Sequence, residues 1–212
     1  MPRSLNRSVS STGNITPPRR TPIQRRSQER LERVLKVAES IIVERGFANL
    51  NMRELAQLAD VNIATIYTYY PNGQSLLRSL ADRYIETLTA EYARFLPMIN
   101  AMRTPAQKVD LFVSKSIEFY ERHPGYAAIW RGMQSDLDLL ALDLADTRRY
   151  ADVLSPVLAS INPKLRGDLR TFSMLLITML GAGIRFGELQ ETRERRQVIK
   201  QLREVFQRML IF

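Results

Sequence analysis

The chain has 212 residues, with 31 lysines and arginines against 22 acidic residues, one histidine, no cysteine and a formal net charge of +9. The length allows one large domain or two small ones, and the apolar and charged fractions of 45% and 25% are those of a soluble globular protein. The absence of cysteine excludes a disulfide scaffold and a thiolate metal site, and a single histidine excludes a two-histidine metal motif. We therefore expect no metal, no cofactor and no enzymatic activity.

The hydropathy pattern predicts a cytoplasmic protein without a membrane segment. The longest uncharged apolar run, Met174 to Ile184, is shorter than the roughly 20 residues that a membrane-spanning helix needs. No apolar core follows the N-terminal arginines, so we also expect no secretion signal.

The positive charge is concentrated at the N-terminus. The first 28 residues contain six arginines and no acidic residue, whereas residues 29–72 contain five basic and six acidic residues. Serine and proline are frequent in residues 1–26, which predicts a disordered basic arm. Such an arm favours a polyanion as a partner, although basic termini can also serve solubility alone.

Three short helices are predicted next, over residues 27–45, 52–59 and 63–70. Apolar residues recur at three- and four-residue spacing in the first helix, which Gly46 ends. Asn51 and Asn62 are expected to cap the second and third helices, with Glu54 completing a capping box. The turn of about three residues between these two helices is typical of a helix-turn-helix.

Six further helices are predicted over residues 76–96, 105–122, 126–133, 136–160, 163–187 and 192–211. Pro97 is expected to end the first of these six. Thr104 with Pro105, and again Asn162 with Pro163, form the cap-plus-proline signal that opens a helix. No strand-like alternation is present, so the predicted fold class is all-α.

The third helix indicates a possible contact with DNA. A helix fits the major groove and presents the side chains of its first turn to base edges. Small and hydroxyl-bearing residues, which can approach DNA closely, lie on the outer face of this helix: Ala64, Thr65, Thr68 and Tyr69. The competing interpretation is a three-helix packing unit that binds nothing.

The same segment carries a family resemblance in both identity and spacing. The residues concerned are Arg33, Val34, Leu35, Ala38, Ile41, Gly46, Phe47, Met52, Arg53, Glu54, Leu55, Ala56, Ala59, Val61, Thr65, Ile66, Tyr67, Tyr69, Tyr70, Pro71 and Asn72. They resemble the N-terminal domain of the tetracycline-repressor (TetR-type) transcriptional regulators. The resemblance implies a homodimeric repressor that a small-molecule ligand releases from a palindromic double-stranded DNA operator. It also implies three segments: the arm at 1–26, a DNA-binding domain at 27–72, and a helical ligand-binding and dimerisation domain at 73–212.

The family pattern also implies roles for individual residues. It assigns Arg53 and Tyr67 to DNA phosphates. It directs the following residues toward the groove: Ile63, Ala64, Thr65, Thr68 and Tyr69. This chain departs from the pattern at Gly73, where most members have a phosphate-contacting lysine, and at Asp60, where members have a glycine in a left-handed turn. Aspartate tolerates that conformation better than most residues, so we expect the turn to persist.

The resemblance further implies that the last two helices pair with those of a second copy. Gly181, Gly183 and Gly187 favour close helix packing, although these helices could instead only close the core of one copy. The candidate pocket residues are Phe112, Ser116, Phe119, Trp130, Met133, Phe172, Leu176, Met179 and Arg185. Any one of them could be ordinary core.

Three further features have simpler interpretations. Arg185 lies in an apolar stretch and needs a partner, for which an anionic ligand and the acids Asp110, Asp136 and Glu188 are candidates. His123 is expected only to end a helix. A solvated face, rather than a metal site, is expected for four acids: Asp136, Asp138, Asp143 and Asp146.

Two other functions remain open at this point. The first is a DNA-binding factor without a small-molecule inducer, controlled by a protein partner. A C-terminal core without a cavity above roughly 300 Å³ would favour it. The second is an enzyme, against which the scarcity of histidine and cysteine argues.

The arm provides a test. We hypothesise that Arg19, Arg20, Arg25 and Arg26 contact phosphates or the minor groove, because the predicted DNA-binding domain has little positive charge of its own. Deletion of residues 1–26 should make the dependence of log K on log salt concentration less steep, by about 0.9 for each phosphate that the protein no longer neutralises. Fluorescence anisotropy with labelled DNA measures this slope, and an unchanged slope would refute the hypothesis.

Overall fold

The fold is built from helices throughout the part of the chain that the structure describes. The structure is a computed structural model, and it describes residues 25–134, 137–165 and 167–211. Its helices are α1 (Arg25–Arg45), α2 (Met52–Leu58), α3 (Ile63–Tyr69), α4 (Gly73–Ala101), α5 (Pro105–Arg122), α6 (Pro124–Gln134), α7 (Leu137–Ile161), α8 (Leu169–Glu188) and α9 (Thr192–Ile211), with a short 3₁₀ helix at Phe47–Asn49. The predicted all-α fold class is confirmed.

Asn51 and Asn62 cap α2 and α3 as predicted, whereas Glu54 does not complete the predicted capping box. The Asn51 side chain accepts hydrogen bonds from the backbone N–H groups of Arg53 and Glu54, and Asn62 accepts one from Ala64 at 2.8 Å. The carboxylate of Glu54 accepts a hydrogen bond from Arg45 at 2.9 Å, which ties α2 to the end of α1. Asp60 has a φ of 51°, so the left-handed turn expected there is present.

The prediction that Pro97 ends the fourth helix is wrong, because α4 continues to Ala101. A proline inside a helix removes one backbone hydrogen bond and costs about 3 kcal/mol. Phe95 and Ile99 on either side of it are both buried in the core. The packing of this last turn offsets the cost, which local sequence rules do not include.

The start of α8 also differs from the prediction. Asn162 accepts a hydrogen bond from the N–H of Lys164, but its own amide donates to the carbonyl of Leu210 on α9. The chain then passes through Gly167, whose φ of 92° is the left-handed conformation that favours glycine. Asp168 caps α8 instead, six residues after the predicted cap.

Helix α6 lies at the centre of the molecule, and eight of its eleven residues are buried. It packs against α1 and α4 on one side and against α5 and α7 on others. Gly125 faces the Glu39 carboxylate and the Tyr84 hydroxyl, which form a hydrogen bond between α1 and α4. Gly132, two turns later, faces Phe47 and Leu77, so α6 meets the N-terminal helices through glycines.

Gly125→Ala tests this close approach. A Cβ atom at Gly125 would collide with the Glu39 carboxylate and the Tyr84 hydroxyl. The two side-chain ends would have to move apart, which breaks their hydrogen bond and leaves two half-buried polar groups unpaired at a cost of about 1–3 kcal/mol, so the melting temperature should fall by roughly 2–10 °C. Gly73→Ala is the matched control near a helix start, since its Cβ would lie 3.5 Å from Leu50 in ordinary contact. Equal melting temperatures for the two variants in differential scanning calorimetry would contradict the prediction.

Candidate functional site

The outer face of α3 is the candidate DNA-binding surface. Ala64, Tyr67 and Thr68 are exposed, and the Tyr67 side chain, 43% exposed, is free to reach a ligand outside the fold. The hydroxyl of Thr68 donates to the backbone carbonyl of Ala64 at 2.8 Å, and this hydrogen bond fixes the orientation of the Thr68 side chain. The face therefore presents small and hydroxyl-bearing groups, as a helix that enters a groove requires.

The remaining α3 candidates are half-buried. Ile63 and Tyr69 pack against the core and Thr65 is partly covered. These three side chains hold α3 to the domain while leaving part of their surface accessible. Within the predicted set, the exposed and the half-buried residues therefore differ in how freely they can contact DNA.

The basic candidates lie on α1 and α2 or outside the described residues. Arg53 is exposed on the first turn of α2. Arg25 and Arg26 are exposed in the first turn of α1, two residues ahead of the predicted helix start. Arg25 forms an ion pair with Glu29 at 3.1 Å, and at this exposure such a pair contributes little to stability. Arg19 and Arg20 lie outside the described residues.

A partly enclosed cavity lies between helices α4 to α8. Its volume is about 90 Å³. The lining residues are Leu88, Tyr92, Ser116, Phe119, Tyr120, Tyr126, Trp130, Gln134, Asp143, Asp146, Thr147, Tyr150, Ile177, Thr178, Leu180, Gly181 and Arg185.

The structure divides the sequence-predicted pocket residues into two groups. Four of them line the cavity: Ser116, Phe119, Trp130 and Arg185. Phe112, Met133 and Leu176 are buried in the core without lining it, and Phe172 is half-buried. Met179 is 42% exposed on the outer side of α8.

Sequence reasoning missed the contribution of α7 to the cavity. Asp143, Asp146, Thr147 and Tyr150 all line it, and their spacing of three, four and seven residues places them on one face of the helix. The expectation of a solvated face is thus wrong for Asp143 and Asp146, which are half-buried. Asp136 and the side chain of Asp138 lie outside the described residues. The sequence did hold a signal for this cavity wall: the helical spacing of the two aspartates, Thr147 and Tyr150.

Aromatic rings form much of the cavity wall. Tyr126 stacks on Trp130 with ring centroids 4.5 Å apart, and Tyr92 stacks on Tyr150 at 5.5 Å. Tyr120 meets Tyr126 edge to face at 4.9 Å. Burial raises the pKa of Tyr92, Tyr120 and Tyr126, so these phenols remain neutral at physiological pH.

Two carboxylates and one guanidinium provide the charge of the cavity. Burial raises the pKa of Asp146 to about 6, opposed by Arg149 and Arg78. Burial also raises the pKa of Asp143, and the indole N–H of Trp130, which donates to its carboxylate, acts in the opposite direction. Asp146 therefore carries a charge at neutral pH against the cost of desolvation.

Arg185 finds a partner that the sequence did not suggest. Its guanidinium donates to the hydroxyl of Tyr120 at 3.3 Å. Of the acids proposed for it, Glu188 is near enough for Arg185 to lower its pKa, whereas Asp110 accepts a hydrogen bond from Gln207. Asp136 lies outside the described residues.

The outer side of α8 is an unpartnered apolar stripe. Leu175, Met179, Phe186 and Leu189 are 56%, 42%, 57% and 77% exposed, and their spacing places them on one face with Ala182. Contiguous exposed apolar surface of this kind is typical of a contact with another molecule.

The neighbouring α9 packs closely on the other side of α8. A Cβ atom at Gly183 would lie 2.7 Å from Leu202 of α9, so the glycine permits this approach. Another apolar surface lies along α9, formed by Val198, Leu202 and Val205. The expectation that glycines in this helix serve close packing therefore fits Gly183.

Two further observations concern other kinds of site. Within the described residues, α8 is the one helix long and apolar enough to span a membrane by length and composition, and 28% of that stretch is buried. No group of three or more potential metal ligands is found among the same residues. His123 follows α5 as its C-terminal cap, with its N–H donating to the carbonyl of Phe119, as predicted.

Family models match both parts of the chain. One described as "Bacterial regulatory proteins, tetR family" matches residues 34–80, which include α2 and α3. One described as "Tetracyclin repressor-like, C-terminal domain" matches residues 104–210, which is half of the chain and includes most of the cavity.

Individual relatives agree with these matches. The HTH-type transcriptional repressor KstR of Mycolicibacterium smegmatis is 32% identical over 97 residues, 46% of this chain and 46% of the relative. The alignment thus spans about half the length of that relative. A transcriptional regulator of Aquifex aeolicus has the same fold with a TM-score of 0.64, 17% identity and coverage of 86% of this chain and 99% of that one. FadR of Bacillus subtilis, solved in complex with stearoyl-CoA, has a TM-score of 0.61, 19% identity and coverage of 81% and 96%.

Proposed function

The chain belongs to the tetR family of bacterial regulatory proteins, and on that premise we propose that it is a DNA-binding transcriptional repressor released from its operator by a small molecule. The exposed face of α3, with Ala64, Tyr67 and Thr68, supports the DNA contact. Arg53, exposed in the first turn of α2, is assigned to a DNA phosphate. The protein acts in the cytoplasm, as a regulator rather than an enzyme.

We propose a basic arm, a DNA-binding domain that extends to residue 72 and a ligand-binding domain at 73–212. The boundary between the arm and the DNA-binding domain, predicted after residue 26, moves to residue 25 because α1 begins at Arg25. The observation that carries ligand response is the position of α6 between the two domains. Its glycines contact α1 and α4, while its Tyr126 and Trp130 line the cavity. A ligand that moves the aromatic wall therefore acts on the same rigid helix that supports the DNA-binding domain.

The alternative is a DNA-binding factor controlled by a protein partner. A cavity with a mixed polar and aromatic lining in the C-terminal domain argues for a small molecule instead. Its volume of 90 Å³ falls below the roughly 300 Å³ of drug-sized ligand sites, so cavity size by itself favours the protein partner, and the argument for a small molecule rests on the chemistry of the lining. The proposal therefore requires either a compact ligand or a separation of the helices when a larger one binds.

The exposed stripe on α8 is proposed to pair with the same surface of a second copy. The apolar groups from Leu175 to Leu189, continued by Val205 of α9, would be buried in a two-fold contact between four helices. The same pairing explains why α8 is as apolar as a membrane-spanning helix, because a helix of the second copy would cover the apolar side of α8 that water would otherwise contact.

The DNA contact is tested by selection from a random-sequence DNA library, followed by footprinting on the selected site and on the DNA that flanks the gene. We expect a protected palindromic site. Arg53→Ala should weaken binding and reduce the salt slope by about 1.8, since each copy of the proposed dimer no longer neutralises one phosphate. Lys164→Ala, an exposed cation in the turn between α7 and α8, is the control and should leave both unchanged. Failure of selection to enrich any site would contradict the proposal.

The two-fold contact is tested by Phe186→Glu. The change places a charge in the centre of the apolar stripe, where burial without a partner is costly. Sedimentation velocity at micromolar concentration should show a dimer for the wild type and a shift toward the monomer for the variant. Met98→Glu changes another exposed apolar side chain, 48% exposed on α4, and should leave the dimer intact. A wild-type monomer would refute the contact.

A further inference from the structure

We infer that the cavity between α4 and α8 selects a compact organic cation, a protonated amine or quaternary ammonium group that carries an apolar body. The inference rests on the proposed function, because it assigns a ligand chemistry to the site proposed to control DNA release. It depends on three features of the lining: the aromatic rings, the two carboxyl groups and the hydrogen bond that the one arginine makes.

The aromatic faces supply the first attraction. Four rings, those of Tyr92, Tyr126, Trp130 and Tyr150, line the cavity as two stacked pairs with centroids 5.5 Å and 4.5 Å apart. The face of an aromatic ring is the negative part of its quadrupole and attracts a cation, most strongly when water is excluded. Since burial keeps the phenols neutral, the rings add this attraction without adding charge.

The carboxylates of α7 supply the second. Asp143 and Asp146 are separated by one helical turn and line the same cavity as the rings. The Asp146 side chain is 16% exposed, and its pairing with Arg149 is long at 3.6 Å. A carboxylate that is largely removed from water attracts a charged ligand more strongly than an exposed one, because water screens the interaction less.

The single arginine does not reverse this preference. Arg185 donates to the Tyr120 hydroxyl at 3.3 Å and crosses the wall beside Gly181, whose absent side chain leaves room for it. The lining holds two carboxyl groups against one guanidinium. A polyanionic ligand would need several cations, and within the described lining Arg185 is the one basic residue.

Trp130 makes occupancy directly measurable. It is the single tryptophan of the chain, and its indole forms part of the cavity wall. Intrinsic tryptophan fluorescence therefore reports binding at this site without a label. The measurement uses the full-length protein without DNA, so it is independent of operator binding.

The experiment compares three compounds of similar shape and different charge. Benzyltrimethylammonium is the cation, neopentylbenzene is its neutral isostere, and 3-phenylpropionate is the anion. We expect saturable quenching by the cation, with an affinity at least about tenfold above those of the other two. Equal affinity of the cation and the neutral isostere, or tighter binding of the anion, overturns the inference.

Substitutions of the acidic and the basic lining residues should change cation affinity in opposite directions. Asp143→Asn and Asp146→Asn keep the shape of the side chain and should each weaken cation binding about tenfold. Asp152→Asn is the matched control on α7, since its carboxylate pairs with Arg170 at the surface and does not line the cavity. Arg185→Gln should tighten cation binding by removal of a like charge. Weaker cation binding in Arg185→Gln, or no effect of either aspartate substitution, contradicts the inference.

The pH dependence adds a readout that a structural role would not produce. The pKa of Asp146 is raised to about 6, so cation affinity should fall as the pH falls from 7 to 5 and this carboxylate becomes neutral. The groups that face it are Asp82 and Arg78 from α4, with Arg149 and Asp143 on its own helix, and Arg185 of α8 acts on Asp143. Benzyltrimethylammonium keeps its charge throughout this range. The decrease should be smaller in Asp146→Asn, where Asp143 is the remaining carboxyl group of the lining, and a decrease as large as in the wild type would overturn the role of Asp146.

A folding control and an operator control separate the possible failures. Since the folded state holds Asp146 at a raised pKa, its charge destabilises the fold at neutral pH, and this cost disappears below about pH 4 where both states are protonated. Asp146→Asn should therefore melt at or above the wild-type temperature at pH 7, which shows that weaker binding does not come from unfolding. Operator binding by ligand-free protein tests the proposed function separately. Intact operator binding without cation selectivity refutes the inference alone.

Discussion

The burial of α6 on nearly all sides is the constraint on which the arrangement of the other helices depends. Gly125 and Gly132 allow α1, α4 and the 3₁₀ segment to approach the helix closely, whereas Tyr126 and Trp130 project into the cavity. A helix packed in this way cannot shift one face without shifting the other, because protein interiors are dense and relax only partly. The core of the molecule thereby connects the candidate ligand cavity to the candidate DNA-binding surface.

The charges of the molecule are separated in a way that its total charge conceals. Residues 29–72 contain more acids than bases, and the positive excess lies mainly in the first 28 residues. The described part of this region, Arg25 and Arg26, continues α1 toward the N-terminus with both side chains exposed. We expect the electrostatic part of DNA affinity to come largely from this end, and the sequence preference to come from α3.

Local signals predicted the start of a helix well where the capping side chain made no further contact with a distant helix. Asn51, Asn62 and Thr104 cap helices as expected, because each side chain satisfies a free N–H of its own first turn. Asn162 also accepts from a nearby N–H, yet it contacts α9 as well and the chain continues to a new cap at Asp168. Pro97 fails to end α4 because the burial of Ile99 outweighs a local penalty.

The sequence by itself determined the all-α fold, the helix-turn-helix segment and the family, because spacing and capping are properties of neighbouring residues. It located four of the cavity residues but missed Asp143 and Asp146, whose stripe on α7 resembled a solvated face. Helical periodicity shows which residues share a face, and it does not show what that face packs against. Only the tertiary structure decided that this acidic face lies opposite an aromatic wall, since that depends on contacts between helices distant in the chain.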